Sequence, residues 1–349
     1  MPPAPARPTS SGFAVASLIL GVAGLTCLPV IGGILALVFG LVARGQIKRE
    51  PRRISGKGMA VTGIVLGIFS LALVVLAATG YFVTAFIFTG DSHTVTRGAG
   101  LQGAEEVRTE LDISNGGLQV EGGASGVMEG EFTFNVNRWE PEVAYEVRGG
   151  RGLLKVNQPN RWTPHFWNAH NDWHVGLVEG VPIDLSARSV SARMRLDLAS
   201  LTLSALDVDS ISGDVYADLS GPMDGLSRVR LKDTSGDLAL YMQGKYPGGS
   251  LDLGSVSGDI LADLAGEWDG GLQADVNTTS GDVTLTLPGS VGVQVTFQTT
   301  SGDVSNNGLR QEGGRNAAVY VNDAFETSEV RLFINVHSVS GDLELRLND

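Results

Sequence analysis

The sequence predicts two N-terminal transmembrane α-helices followed by an all-β domain, a stacked β-solenoid with about 22 residues per coil. Three observations predict it. Two N-terminal stretches, Phe13 to Ala43 and Met59 to Gly90, contain no charged side chain. The tripeptide Ser-Gly-Asp recurs at Ser212, Ser235, Ser257, Ser280, Ser301 and Ser340, at spacings of 23, 22, 23, 21 and 39. Apolar and polar residues alternate in register on both sides of each tripeptide, which is the period of a strand with one buried face.

Residues 1–11 read as a disordered tail rich in Pro and Ser, and residues 12–90 as a two-span membrane module. Each apolar run exceeds the roughly 20 residues that a helix needs to cross the hydrocarbon. Between them lies the loop 44–58, "RGQIKREPRRISGKG", with six positive charges and one negative. Short basic loops stay in the cytoplasm, so this loop is expected inside and everything after Asp91 outside. In the first run, "CLPVIGG" places Pro29, Gly32 and Gly33 near the middle. The run is then either one kinked span or a re-entrant hairpin, and the shortness of the hairpin's arms favours the kinked span. The spacings Gly21-x-x-Gly24 and Gly63-x-x-x-Gly67 would let helices pack closely, within one chain or in an oligomer. The segments "AVASLILGVAGL", "IGGILALVFGLVARGQIKRE" and "GKGMAVTGIVLGIFSLAL" resemble a bacterial two-span membrane family of unknown function. That resemblance covers about residues 12–80 and implies topology and a bacterial origin, with no chemistry attached.

The net charge of −13 is unevenly placed. Residues 1–90 carry Arg7, Arg44, Lys48, Arg49, Arg52, Arg53 and Lys57 against Glu50, a balance of +6, which leaves −19 for the remainder. An acidic distal part argues against nucleic acid, because phosphate binding needs clustered Lys and Arg. Cys27 is the sole cysteine, so neither an internal disulfide framework nor a cysteine-built zinc site is available.

Beyond a linker at 91–104, residues 105–198 read as degenerate coils and 199–349 as regular ones. Three, five and seven positions after successive serines come Val215/Ala217/Leu219, Leu238/Leu240/Met242, Ile260/Ala262/Leu264, Val283/Leu285/Leu287 and Leu343/Leu345/Leu347. Apolar pairs precede them, such as Leu206/Val208 and Leu251/Leu253. Two positions before each Ser stands a polar residue: Ser210, Asp233, Ser255, Thr278, Thr299 and Ser338. A repeat is therefore strand, corner, strand, then a looser turn such as "GKYPGG" or "AGEWDG". Such a unit buries one narrow face and must stack on its neighbours. A solenoid requires identical corners at constant spacing, and a meander or sandwich does not. The 39-residue interval holds either a coil without the signature or an insertion, in which "AAVYV" supplies a strand. The stretch from "NDWHVGLVEGVPIDL" to "LTLSALDVDSISGDV" resembles bacterial extracytoplasmic toast-rack or adhesin-like domains. This second resemblance covers about residues 105–349 and implies a membrane-tethered cell-envelope protein.

Two groups of residues invite chemistry. Stacked coils would align Asp214, Asp237, Asp259, Asp282, Asp303 and Asp342 in one column. Such a column could hold cations. It could equally be corner punctuation, with Asp accepting nearby backbone N–H groups and the middle Gly supplying a positive φ; the corner reading is preferred, because calcium solenoids use a denser repeat. The loop "RWTPHFWNAHNDWH" gathers His165, His170, His174 and Asp172 among Trp162, Trp167 and Trp173. These could bind zinc, form an aromatic surface for a glycan or protein, or pack. No G-x-S-x-G, H-E-x-x-H or P-loop occurs, and the carboxylates recur in every coil where a glycosidase needs one distinctive pair. The expected function is a non-enzymatic, cofactor-free envelope protein of the bacterial cytoplasmic membrane, whose outer domain scaffolds, adheres or senses. Its partners would be the membrane and an envelope protein or glycan. The alternatives are a polysaccharide-active β-helix enzyme and a calcium-binding surface domain.

Overall fold

A computed structural model describes residues 9–26, 29–49, 54–159, 168–313 and 318–348. The chain divides into two compact units, Met1–Phe88 and Thr89–Asp349.

The first unit contains three helices: α1 (Gly12–Thr26), α2 (Pro29–Arg49) and α3 (Lys57–Phe88). Two stretches, Pro29–Arg49 and Lys57–Val83, are long and apolar enough to cross a membrane, and Gly12–Ala23 is a shorter apolar helix. The single kinked span expected over 13–43 is replaced by two helices packed antiparallel. Ser11 Oγ donates to Gln46 Oε1 at 3.3 Å, the Phe13 and Phe39 rings lie 5.7 Å apart, and Ser17 Oγ donates to the Ala36 carbonyl at 2.7 Å. The physical reason is Pro29. It lacks an N–H to continue α1, yet its fixed φ suits the first residue of a new helix.

Close approach within this unit depends on small residues. A Cβ on Gly63 would overlap the Ser17 backbone, and one on Gly67 would lie 2.8 Å from the Gly33 carbonyl oxygen. The Gly63-x-x-x-Gly67 spacing thus serves packing inside one chain. The start of α1 and the end of α2 lie at the same end of the hairpin, where Thr9–Ser10 pairs in parallel with Ile54–Ser55. Cys27 lies outside the described residues.

The second unit is a β-solenoid. Each regular coil contributes one strand before its corner and one after, and the two strands stack in separate parallel ladders. On the first ladder 183–189, 203–209, 228–232, 249–255 and 272–280 follow in order. On the second, 194–197, 215–218, 238–241, 260–263 and 283–288 do the same. Beyond one irregularity between Leu203 and Ala205, residues stay in register from rung to rung: Val229 stands on Leu251, which stands on Ala274. Side chains of both ladders point into one core, where Leu206, Val208, Leu231, Leu253, Val276, Leu240, Ala262 and Leu285 are at most 1% exposed.

At both ends the spatial order departs from the sequence order. The 331–340 and 343–348 strands insert between the coil of Ser280 and the coil of Ser301. The 39-residue interval thereby becomes intelligible. After the Ser301 coil the chain adds Ala318–Val321 antiparallel to 294–297, pairs that strand with Arg310–Glu312, and returns to fill the vacant rung. At the other end the long strand Glu106–Gly122 lies between the 151–157/171–177 rung and the 183–197 rung. Antiparallel strands 142–148, 128–134 and 93–99 complete that end. Two expectations are corrected by this arrangement. The stretch 91–104 is no bare linker, since it contains the strand His93–Ala99. Within 105–198, read as degenerate coils throughout, 128–134 and 142–148 are antiparallel strands, because end rungs need partners that do not propagate the ladder.

The turns thought looser are also packed. Lys245–Tyr246 and Glu267–Trp268 form a third short parallel ladder. The Tyr246 and Trp268 rings are 4.8 Å apart, Tyr246 Oη donates to the Leu219 carbonyl at 2.8 Å, and Trp268 Nε1 donates to the Leu264 carbonyl at 3.0 Å. Burial pushes the Tyr246 hydroxyl well above its ordinary pKa.

Candidate functional site

The corner is built by three columns, one from each residue type in the repeat. The polar residue two positions before Ser caps it: Ser255 Oγ accepts the Gly258 N–H at 2.8 Å, and the Asp233 carboxylate accepts that of Gly236. The middle Gly is needed for space more than for conformation. Gly213 alone among these corner glycines has a positive φ, of 143°. A Cβ on Gly258, Gly281, Gly341 or Gly302 would overlap the carbonyl oxygen of the neighbouring coil's glycine. The expectation of a positive φ at each corner is thus corrected. These glycines stack backbone on backbone at a separation that excludes a side chain.

The aspartates form a column, but their bonds run between coils. Asp214 accepts the N–H of Asp237 at 3.4 Å, Asp237 that of Asp259 at 2.9 Å, and Asp259 that of Asp282 at 2.9 Å. The inserted coil extends the series, with Asp282 accepting from Asp342 at 2.8 Å and Asp342 from Asp303 at 2.9 Å. Five of the six carboxylates, all but that of Asp303 at the end of the series, thereby hold the next rung, and each backbone bond offsets repulsion of roughly 0.9 kcal/mol in water between neighbours about 4.8 Å apart. Among the described residues no group of three or more His, Cys, Asp or Glu side chains is arranged to hold a metal ion.

Among the described residues, His170, Asp172, Trp173 and His174 do not assemble into one site. Trp162, His165 and Trp167 lie outside the described residues. His170 pairs with Asp172 at 3.0 Å, whereas His174 pairs with Glu121 at 2.8 Å. Trp173 is 1% exposed and packs edge-on against Phe132 with ring centroids 5.4 Å apart, so its place in an aromatic surface is corrected. Its Nε1 donates to Asn171 Oδ1 at 3.0 Å, and Asn171 Nδ2 donates in turn to the Asn115 carbonyl at 2.9 Å and to Gln158 Oε1 at 3.1 Å. This buried amide network replaces the Ser-Gly-Asp corner in the degenerate coils. Trp173 is there for packing because alternation along 171–177 points it inward.

Sequence reasoning missed an outer strip beside the corner. The residue immediately before each Ser is β-branched: Ile211, Thr234, Val256, Thr279, Thr300 and Val339. Each is exposed, with Ile211 at 54%, Val256 at 46% and Val339 at 52%. Position-by-position comparison of the repeats would have found it, since a β-branched side chain at an outward position has no core to fill. Towards the C-terminal rungs this strip borders a groove of about 540 Å³, lined from Ser255 through 277–279 and 337–339 to 298–300. Part of the outer face elsewhere is charged and paired. Arg230 contacts Asp207 at 2.7 Å and Asp209 at 3.1 Å, and these carboxylates raise its already high pKa. Arg195 lies 4.7 Å from the Tyr216 ring centroid, and Tyr216 lies 5.2 Å from Tyr241.

Comparison with known proteins follows this division. No curated protein matches the chain. Among solved structures, a "putative cell adhesion protein" from Clostridium sporogenes is 21% identical, with 74% of this chain and 100% of that one covered and a TM-score of 0.44. A "putative adhesin" from Parabacteroides distasonis is 12% identical, with coverage of 73% and 97% and a TM-score of 0.36. Family models match in three successive regions: a domain of unknown function, DUF4190, over residues 13–77; the N-terminal domain of toast_rack, DUF2154, over 88–240; and Toastrack DUF4097 over 189–346. The chain is therefore similar to a domain of unknown function along its apolar helices and to toast-rack domains along its β-solenoid.

Proposed function

We propose that this is a membrane-anchored protein of the bacterial cell envelope whose solenoid stands outside the cytoplasmic membrane and works by binding or scaffolding, without catalysis. One observation carries the reading. The polar groups that recur in every coil are used to hold rung to rung, so what the domain offers a partner is its non-repeating outer face. The helical unit supports the orientation. The basic segment from Arg44 to Lys57 joins α2 to α3, and a short basic loop is retained in the cytoplasm. Antiparallel α1 and α2 then put residue 10 on the same side as the loop, and α3 leads outward.

The test is made on whole cells and on isolated cell walls. With Cys27 replaced by Ser, single cysteines at Ser10, Ser55 and Ser305 are challenged with a membrane-impermeant thiol reagent. Labelling at 305, with 10 and 55 protected, is expected; protection at 305 overturns the orientation. The purified protein is then sedimented with cell-wall sacculi. Retention without release of new reducing ends is expected, and release of reducing ends in proportion to the protein added would make it an enzyme.

A further inference from the structure

The last rung of the second ladder leaves one backbone group unused. On earlier rungs the residue just past the strand donates its N–H to the rung that follows: Leu219 to the Tyr241 carbonyl at 2.9 Å, Met242 to that of Asp263 at 2.7 Å, and Leu264 to that of Thr286 at 2.8 Å. The equivalent residue of the Ser301 coil is Gly308. Its strand, Val304–Asn307, pairs with 343–346 on one edge only, so no following rung receives that N–H. Among the described residues the Gly308 N–H makes no hydrogen bond.

The residue before it is Asn307, and both are exposed. An Asn followed by Gly carries its own electrophile and nucleophile, because no Cβ on the glycine shields its nitrogen from the preceding side chain. The turn fixes this glycine in place. Gly308 has a φ of 99°, and a Cβ there would lie 2.7 Å from Leu347 Cβ. Neighbouring Asn306 is occupied otherwise: its Nδ2 donates to the Leu309 carbonyl at 2.7 Å, and its Oδ1 accepts the Leu309 N–H at 3.3 Å.

The sequence holds a second such pair, Asn115–Gly116, in a different setting. It lies inside the strand Glu106–Gly122, where Asn115 is paired with Ser191. Asn115 Oδ1 accepts from Gln158 Nε2 at 3.4 Å, and its carbonyl accepts from Asn171 Nδ2 at 2.9 Å. A Cβ on Gly116 would overlap the Asn171 carbonyl oxygen, so the segment is closely packed.

We propose that Asn307 is a site of spontaneous covalent modification, converted through a cyclic imide to aspartate and isoaspartate, while Asn115 is protected by the fold. The Gly308 nitrogen loses its proton to base and attacks Cγ of Asn307. The new C–N bond closes a five-membered succinimide, the Cγ–Nδ2 bond breaks, and Nδ2 takes up a proton and leaves as ammonia. Water then opens the ring at either carbonyl. The net change is water in and ammonia out, with no oxidant or reductant. Opening at the main-chain carbonyl routes the backbone through the side chain and lengthens it by one methylene, inside the turn that the Asn306–Leu309 bonds now close.

The full chain in lipid nanodiscs is incubated at neutral pH in water enriched in heavy oxygen, and peptides carrying Asn307 and Asn115 are followed by mass spectrometry. Heavy oxygen is expected to enter at position 307 at least tenfold faster than at 115, and that peptide alone should become a substrate for an isoaspartate-specific carboxyl methyltransferase. In guanidinium chloride the two pairs should react at rates within a factor of three, since only the fold separates them. The variant Asn307→Gln, which alters one exposed side chain, should melt with wild type and leave its peptide unlabelled. A folded chain in which Asn307 stays unlabelled, or reacts no faster than Asn115, overturns the proposal. Label persisting in the glutamine variant's peptide places the reaction elsewhere and overturns it too.

Discussion

The backbone N–H of Asp259 donates to the Asp237 carboxylate at 2.9 Å, so a side chain from one coil fixes the main chain of the next. Asp259 repeats the relation towards Asp282. A negative column therefore persists on the surface because every member before the terminal Asp303 is also an acceptor that the adjoining rung needs. An amide oxygen can do the same work without the charge. Asp259→Asn with Asp282→Asn should leave stability unchanged or raise it by up to about 1 kcal/mol at about 10 mM salt, with the gain vanishing in 1 M salt. The alanine pair should lose about 1 kcal/mol per bond removed at either salt concentration. Urea unfolding of wild type and the two double variants at both salt concentrations gives the comparison.

The glycine column makes a sharper demand. A Cβ on Gly258 would overlap the Gly236 carbonyl oxygen, whereas one on Gly225 meets the Leu203 carbonyl at 3.4 Å, an ordinary contact. Gly258→Ala is expected to cost about 3 kcal/mol or more by forcing two coils apart. Gly225→Ala should change stability by less than about 1 kcal/mol. Thermal melts monitored by circular dichroism would separate them.

At the corner itself the same kind of hydroxyl has opposite worth in different coils. Ser255→Ala removes the acceptor of the Gly258 N–H and should cost about 1–3 kcal/mol. Thr278→Val removes a hydroxyl that bonds nothing among the described residues, so the protein should be as stable or more so. Equal losses in the two variants would show that both hydroxyls are bonded.

Acid should weaken the rungs near the start of the solenoid. The Glu110 carboxyl is held below its ordinary pKa by hydrogen bonds from Lys155, 2.9 Å away, and Arg108, 3.1 Å away. Because the folded value is depressed, the ionised form supports folding above the unfolded pKa, and that support is lost as pH falls through the folded one. The pair is about one-third exposed on the glutamate side, so its worth is roughly 0.2–1 kcal/mol. Glu110→Gln should lower stability at pH 7 by that amount and converge with wild type as pH falls through the depressed folded pKa. A pH series of denaturant midpoints measures it.

Much of the architecture was legible because burial in a strand has a period of two and a stacked coil must repeat its corner. Val215, Ala217 and Leu219 declared their inward face by alternation alone, and all three are at most 1% exposed. Rung order was not legible. Nothing in the alternation of Leu332, Ile334 and Val336 distinguishes a strand at the end of a stack from one inserted inside it, since both bury the same face. The antiparallel α1–α2 pair was hidden for a related reason. Apolar composition reports the solvent around a helix, and only the geometry after Thr26 decides whether the chain continues or doubles back. For Trp173 the sequence left packing and an aromatic surface both open; in the strand 171–177 its neighbours Asp172 and His174 face outward, so it faces the core. The corner glycines were found by their spacing, but the reason for them lies in another coil, 22 or more residues distant.

The insertion of residues 331–348 between the coils of Ser280 and Ser301 has a consequence for synthesis. As the chain emerges from N- to C-terminus, earlier coils can add one at a time, each on a finished neighbour. The Ser301 coil cannot, because the rung that should lie beneath it has not yet been made. A chain stopped before residue 331 would present raw strand edges on both sides of the gap, open to a second truncated chain. The stack is thus completed as a keystone completes an arch, and an interrupted product declares itself by its exposed edges.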